Sequence, residues 1–248
     1  MHYQLLVDLL NSKNKAEYSH YFYNAISHLG FDSAVYGFLP SHDFVKHVNQ
    51  LPIIIPTEGA PLEYLQHYQE KELFRPEFDV FVAKILSGHT SPINWWKDID
   101  SLNPTPTQVA TLQHAKDKFG LVNGFVIPLM CDQRGYACTT LYSNFEDDEF
   151  NQLVDKQSEQ ITLFCSALHS KIFSDPNLVA ELYDNYIQMN DTERTVMRYL
   201  VSGKPMKQIE DHTGISYRYA SKVVDKFRKK HGNVPKDKLL YSLGHYFS

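Results

Sequence analysis

The sequence has 248 residues, of which 43% are hydrophobic and 21% are charged, and its formal net charge is −5. This length suits one large domain or two unequal ones. The composition is that of an ordinary globular protein, and no apolar run is long enough to span a bilayer. Residues 1–10 also lack the basic flank and cleavage site of a secretory signal. We therefore expect a cytoplasmic protein that does not contact a membrane.

Charge is distributed unevenly along the chain. Residues 189–248 carry 12 Lys and Arg against 6 Asp and Glu, which leaves 12 basic and 23 acidic residues in the first 188 positions. A basic module thus follows an acidic body. This pattern favours a C-terminal segment that binds nucleic acid, although a charge that serves only solubility is the simpler alternative.

Neither the cysteines nor the histidines indicate an enzyme. Cys131, Cys138 and Cys165 are odd in number and lack metal-ligand spacing, so we expect small core residues with free thiols. The 12 histidines are dispersed. The sequence contains no His-Glu-x-x-His, no Gly-x-Ser-x-Gly and no phosphate-binding glycine loop. We expect no catalysis, no cofactor and no bound metal.

The first 173 residues alternate between helical and strand patterns. Apolar residues at helical spacing predict one or two helices within residues 1–30. Runs of β-branched and aromatic residues predict strands at 33–39, 48–55, 125–130 and 136–142. Further helices are predicted at 61–71, 78–86, 104–119 and, from an acidic start, about 146–173.

A strand-rich centre flanked by helices predicts the fold class. Residues 132–135 form a turn-like connection that would join the last two strands as a hairpin. The class is α+β, with an α/β/α sandwich and a mostly antiparallel sheet in residues 1–173. Residues 174–188 are predicted to be a linker, within which 178–187 could form a short helix. Residues 189–248 are predicted to be an all-α domain of four helices.

The C-terminal segment has the sequence form of a helix-turn-helix. Cap residues before an apolar stripe predict a first helix at 190–201. A short second helix at 206–212 ends at Thr213-Gly214, and Ser216 is a suitable N-cap for a third. Two short helices with a glycine turn, followed by a longer basic helix, are typical of this motif.

One side of the third helix is predicted to bind DNA. If Ala220, Val224 and Phe227 face the core, a rotation of 100° per residue puts Asp225 and the basic side chains of Arg218, Lys222 and Lys229 opposite them. The basic side chains would neutralise phosphates and donate hydrogen bonds to double-stranded promoter DNA. A helical bundle with a solvated basic face is the alternative. The candidate DNA-binding residues are Arg218, Tyr219, Ser221, Lys222, Lys226 and Lys229.

The C-terminal segment resembles the DNA-binding domain of LuxR-type regulators. The resemblance covers about 60 residues and rests on Glu193, Met197, Gly203, Ile209 and residues 214–216 at the family's spacing. The family usually has Val-Lys where this chain has Ala220-Ser221. Lys222 would only partly replace the missing phosphate-binding lysine.

The N-terminal segment resembles the autoinducer-binding domain of quorum-sensing LuxR-type proteins, which bind N-acyl homoserine lactones. The matching landmarks are Tyr64 and Tyr68, Asp79, residues 92–95, Ala115, residues 119–124 and residues 126–128. The motifs of a phosphoacceptor receiver domain, which precedes this DNA-binding domain in other regulators, are absent from the first 60 residues.

The resemblance implies roles for four residues in binding a small amphiphilic ligand. Asp79 would accept a hydrogen bond from the ligand amide, and Tyr68 would face the amide carbonyl or the acyl chain. Trp95 would pack against the head group, and Tyr64 stands where the family has a head-group Trp. Asp79 follows Tyr68 by two residues more than is usual, so Glu77 is a second candidate for its role.

These resemblances imply a homodimeric transcription regulator that responds to a ligand. The ligand would be an N-acyl homoserine lactone, another small amphiphile, or absent. If the chain binds a different ligand or none, it would be an orphan regulator that is controlled by dimerisation or by a protein partner.

Overall fold

The computed structural model describes residues 2–40, 52–132, 134–175 and 189–247. They divide into two compact units, the first comprising described residues up to Ile172 and the second those from Phe173 onward. The predicted linker at 174–188, with the helix considered at 178–187, lies almost entirely outside the described residues. No helix among the described residues has the length and apolar character needed to cross a membrane.

The described part of the first unit is built on a five-stranded antiparallel sheet in the order β2-β1-β5-β4-β3. The strands are β1 (Ser33–Pro40), β2 (Ile53–Pro56), β3 (Ile93–Asn94), β4 (Asn123–Asp132) and β5 (Gly135–Ser143). The mixed α/β class with an antiparallel sheet is therefore confirmed. The predicted strand at 48–55 is observed from Ile53, and residues 48–51 lie outside the described ranges.

Helices lie before, between and after these strands. They are α1 (His2–Asn11), α2 (Lys15–His28), α3 (Leu62–Glu70), α4 (Val80–Leu86), α5 (Trp95–Asp98), α6 (Pro106–Phe119) and α7 (Asp147–Ser174). The sequence analysis did not predict β3 or α5. Two and four residues respectively are too few to show a periodicity.

The helices cover both faces of the sheet. On one face, the Tyr36 hydroxyl of β1 lies 3.0 Å from Nδ1 of His169 in α7, and α2 packs beside α7 through Tyr18 and Phe22. On the other face, apolar residues of α3, α4 and α6 form a core with alternate residues of β1 and β5. The first unit is thus a three-layer α/β/α arrangement. One hydrophobic core lies between the sheet and α3, α4 and α6.

The β4–β5 hairpin depends on glycine at position 135. Gly135 has φ +144°, and a Cβ there would lie 2.2 Å from the Leu39 carbonyl oxygen of β1.

Near the same hairpin, Cys131 is exposed, whereas Cys165 is buried. The prediction that all three cysteines are core residues is therefore wrong for Cys131, because it lies at the solvent end of β4 rather than over a helix layer.

The second unit contains α8 (Asp191–Val201), α9 (Ile209–Thr213), α10 (Tyr217–Lys230) and α11 (Lys236–Phe247), with a 3-10 turn at Met206–Gln208. Asn190 and Glu193 form a reciprocal capping box at the start of α8. Gly214, at φ +70°, ends α9, and the Ser216 hydroxyl accepts the Tyr219 amide to begin α10. Buried side chains of α8, α9, α10 and α11, Val196 and Phe227 among them, form this unit's core.

The His169 environment predicts a loss of stability in acid. Burial, with a smaller contribution from Arg134, lowers the pKa of His169 from 6.5 to about 4, and Asp132 opposes this shift. The unfolded chain therefore takes up a proton as pH falls below about 6.5, while the folded chain resists protonation until about pH 4. We expect the free energy of unfolding to fall by about 1 to 3 kcal/mol across this window.

Urea unfolding of the wild type and His169→Gln between pH 4 and 7.5 measures this effect. The variant should show a flatter pH dependence, whereas His20→Gln, which alters an exposed histidine, should keep the wild-type slope. Equal slopes in all three proteins would contradict the assignment to His169.

Candidate ligand-binding pocket

A cavity of about 90 Å³ lies between the sheet and the helices α3, α4 and α6. Its walls are mainly apolar, and polar side chains from several elements interrupt them. The polar or ionisable residues that line it are Tyr64, Tyr68, Asp79, Trp95, Gln108, Thr111, Tyr136, Cys138, Thr140 and Tyr142. An apolar enclosure with a few convergent polar groups is the usual form of a small-molecule site.

Asp79 is the acidic group of this wall, and three donors hold its carboxylate. Its Oδ1 accepts the amides of Phe81 at 2.8 Å and Val82 at 3.0 Å, so Asp79 is the N-cap of α4. Its Oδ2 accepts the hydroxyl of Tyr68 at 2.6 Å. An ionised carboxylate has about four acceptor positions, so one position on Oδ2 is left for a further donor.

Burial dominates the protonation of these groups. It raises the pKa of Asp79, and the hydrogen bonds from Tyr68 and the amides of Val82 and Phe81 partly offset the rise. Burial, reinforced by the Asp79 charge, raises the pKa of Tyr68 and Tyr142. The phenols are therefore neutral donors at physiological pH. Among the described lining residues there is no Lys, Arg or His, so nothing there compensates a second negative charge.

Trp95 forms a flat wall of the cavity. Its ring stacks on Phe81 with centroids 5.6 Å apart and meets the Tyr142 ring edge-on at 5.7 Å. Its Nε1 is buried and has no hydrogen-bond partner among the described residues. A buried donor without an acceptor costs free energy, so this N–H can gain from a ligand acceptor.

Gly124 of β4 makes room for the Trp95 ring. A Cβ at Gly124 would lie 2.3 Å from Cε2 of Trp95, a distance that ordinary packing does not permit. The glycine thus holds the indole close to the sheet. The chain can place a large ring here only because the neighbouring strand residue has no side chain.

The structure brings the four predicted ligand residues together. Tyr64, Tyr68, Asp79 and Trp95 all line the cavity, and the Tyr64 and Tyr68 rings lie 5.7 Å apart. Glu77, the second candidate for the role of Asp79, is exposed and does not line the cavity.

The contribution of β5 to the cavity was not predicted from the sequence. Tyr136, Cys138, Thr140 and Tyr142 all line the cavity because alternate residues of a strand share a face. This period of two was present in the predicted strand at 136–142, but nothing in the sequence indicated which of its faces the cavity occupies. Gln108, Phe74 and Phe78 were also missed, since they lie in a helix start and a loop without a motif.

On the second unit, α10 has one buried side and one basic side. Ala220, Val223, Val224 and Phe227 are buried. Of the candidate DNA-binding residues, Ser221 is partly buried, and the exposed ones are Arg218, Tyr219, Lys222, Lys226 and Lys229. Within this unit, the exposed side of α10 is accessible to a polyanion.

The Gly124–Trp95 contact predicts the effect of one added methyl group. Gly124→Ala should push the indole out of place and lower the free energy of unfolding by about 1 to 3 kcal/mol, the usual cost of overpacking. The control is Gly37→Ala, because the nearest atom to a Cβ there, the Cys138 carbonyl oxygen, is 4.0 Å away. Urea unfolding monitored by Trp95 fluorescence in a Trp96→Phe background measures both. Equal stability of the two variants would contradict the contact.

Comparison with known proteins agrees with this architecture. The autoinducer binding domain family model matches residues 14–172, which includes the whole cavity wall described above. No curated protein matches the chain in sequence.

Three solved structures share the fold at low sequence identity. Escherichia coli SdiA is 15% identical with a TM-score of 0.55, covering 100% of this chain and 98% of that one. SdiA in complex with octanoyl-rac-glycerol is 14% identical with a TM-score of 0.53, covering 99% and 93%. CepR2 from Burkholderia cenocepacia, an N-acylhomoserine lactone dependent LuxR family transcription factor, is 15% identical with a TM-score of 0.50, covering 69% and 95%. The chain belongs to the autoinducer binding domain family.

Proposed function

We propose that this protein is a transcription regulator whose first unit binds a small amphiphile and whose second unit binds promoter DNA. The observation that carries the proposal is the Asp79 carboxylate, which faces an apolar cavity and keeps one acceptor position beyond its three protein donors. A buried carboxylate is costly. A ligand donor that completes its hydrogen bonds would supply both affinity and orientation.

The charge of the wall favours a neutral head group with one N–H or O–H donor near Asp79. An anionic head group would face the carboxylate without a cation among the described lining residues. A primary ammonium has three donors, and Asp79 alone would leave some of them unpaired in an apolar enclosure. An acyl amide of the homoserine lactone type supplies an N–H donor, and an acyl glycerol supplies a hydroxyl donor. CepR2 is N-acylhomoserine lactone dependent, and SdiA forms a complex with octanoyl-rac-glycerol.

The other wall residues suit the rest of such a ligand. The Trp95 N–H lacks an acceptor among the described residues and would donate to a head-group carbonyl. Tyr64, which replaces the family's head-group Trp, offers a neutral phenol beside Tyr68. The apolar walls would then bury the acyl chain at a gain of about 25 cal/mol per Å².

The second unit supports DNA binding through α10. As in a helix-turn-helix, the short α9 ends at Gly214 and precedes a longer helix with one exposed basic side. We infer that α10 enters a major groove, with Arg218 closest to the bases and Lys222, Lys226 and Lys229 near phosphates. A homodimer that presents two such helices would read paired half-sites. An orphan regulator that binds no lactone or glyceride is the competing proposal.

Asp79→Asn tests ligand binding. The amide can still cap α4, so the melting temperature without ligand should change little, but the weaker acceptor should reduce ligand affinity by about 1.5 to 3 kcal/mol. Thermal shift with N-octanoyl homoserine lactone and with octanoyl glycerol is the measurement. Ring-opened N-octanoyl homoserine, which carries a carboxylate, should not stabilise the wild type.

Glu77→Gln is the matched control, because Glu77 is exposed and outside the cavity, and it should bind like the wild type. Equal stabilisation of the wild type and Asp79→Asn would remove Asp79 as the anchor. Lack of stabilisation of the wild type by either ligand would favour the orphan regulator.

Arg218→Ala tests the DNA-binding side of α10. If Arg218 reaches a base edge, its loss should weaken specific binding by about 1 to 3 kcal/mol, while Lys229→Ala should weaken binding to all sequences and reduce its salt dependence. Fluorescence anisotropy of the full chain with promoter fragments, from 50 to 200 mM salt, measures both. Lys13→Ala, an exposed change in the first unit, is the control. Absence of binding to any duplex at low salt would refute the proposal.

A further inference from the structure

The loop between α3 and α4 forms part of the cavity wall. Residues 71–78 form consecutive turns rather than a helix or strand. Phe74 is buried, and both Phe74 and Phe78 line the cavity, whereas Arg75, Pro76 and Glu77 are exposed. One side of this loop therefore faces the cavity and the other faces water.

The first three residues of the loop, 71–73, donate their amides to carbonyls of α3, and the later residues bond mainly to the loop itself. The Arg75 amide donates to the Glu72 carbonyl at 3.1 Å, and the Phe78 amide donates to the Arg75 carbonyl at 2.9 Å. Glu72 has φ +52°, a left-handed conformation that costs free energy for a residue with a side chain. The part of the loop beyond Leu73 can swing as a unit about this point, because its backbone amides make no bond to α3.

A single side chain ties the outer edge of the loop to another helix among the described residues. Gln108 of α6 donates from Nε2 to the Pro76 carbonyl at 2.7 Å. Gln108 is buried. Its side-chain Oε1 accepts the Thr105 backbone amide at 2.8 Å, and the Gln108 backbone amide donates to the Thr105 hydroxyl at 3.3 Å. The capping box of α6 thus fixes the side chain that reaches the loop.

The two ends of the loop adjoin the ligand anchor. Tyr68 precedes it on α3 and Asp79 follows it directly, and their side chains share the 2.6 Å hydrogen bond. The base of the loop is therefore closed by the same pair that would receive the ligand donor. Movement of the outer edge can occur while this base stays in place.

We propose that residues 71–78 are the lid through which ligand enters the cavity, and that the hydrogen bond from Gln108 to the Pro76 carbonyl is its latch. This proposal rests on the proposed function only for the identity of the ligand. Its opening is a property of the ligand-free protein, so it can be tested without any ligand.

Gln108→Glu separates the latch from the capping box. Glutamate keeps the acceptor for the Thr105 amide and is a common residue at this position of a capping box, but it has no N–H for Pro76. Gln108→Met removes the donor without adding a charge. Thr105→Ala is the matched control, because it loses the hydroxyl cap while leaving the Gln108 donor in place.

Access to the cavity can be measured by acrylamide quenching of Trp95 fluorescence in a Trp96→Phe background. Trp95 is 4% exposed and lines the cavity, so a small neutral quencher must pass the wall to reach it. We expect Gln108→Glu and Gln108→Met to raise the quenching constant several-fold and to speed amide hydrogen exchange at residues 75, 78 and 79 about tenfold. Thr105→Ala should do neither.

Ligand kinetics complete the test. For N-octanoyl homoserine lactone, both Gln108 variants should show association and dissociation about tenfold faster than the wild type. Faster exchange without increased quenching would place the entrance elsewhere and overturn the lid. Unchanged exchange in both Gln108 variants, or an equal change in Thr105→Ala, would overturn the latch. If the wild type binds no lactone, the proposed ligand fails, while quenching and exchange still decide the lid and the latch.

Discussion

The burial of one carboxylate is the constraint on which the first unit depends. Asp79 must be solvated by the protein itself, because an unpaired charge in an apolar enclosure would be very costly. Two amides at the start of α4 and the phenol of Tyr68 supply that solvation. The same bonds fix the start of α4 and join it to α3. A ligand donor to Asp79, as proposed above, would add to bonds that the fold already needs.

The sequence was sufficient to predict the sheet class and the four residues that meet at the cavity. Landmarks such as Tyr68 and Trp95 are recognisable because residue type and spacing can be read directly from the sequence. The choice between Asp79 and Glu77 needed the structure. An N-cap is defined by backbone geometry, and Asp79 has the extended conformation and two amide partners of a cap. In the sequence, the residue type pointed to Asp79, whereas the family's spacing pointed to Glu77.

Other parts of the cavity could not be read from the sequence for physical reasons. A strand pattern gives alternation but not which side another layer covers, so Tyr142 and Cys138 were left without a role. Gln108 was hidden for a different reason. Its function comes from a hydrogen bond across 32 positions of the chain, and such a long-range partner leaves no local pattern in the sequence. Cys131 appeared apolar enough for the core, but its place beside the hairpin exposes it.

The polar groups of the wall determine which part of a ligand the cavity distinguishes best. An apolar pocket distinguishes chain lengths by only about 1 to 3 kcal/mol per methylene, whereas buried polar groups reject a ligand that leaves them unpaired far more strongly. Trp95 Nε1 has no acceptor among the described residues, Asp79 keeps an acceptor position, and both residues line the cavity. A ligand that satisfies both must present an acceptor and a donor on the same neutral head group. Discrimination between head groups should therefore be sharper than discrimination between acyl chains.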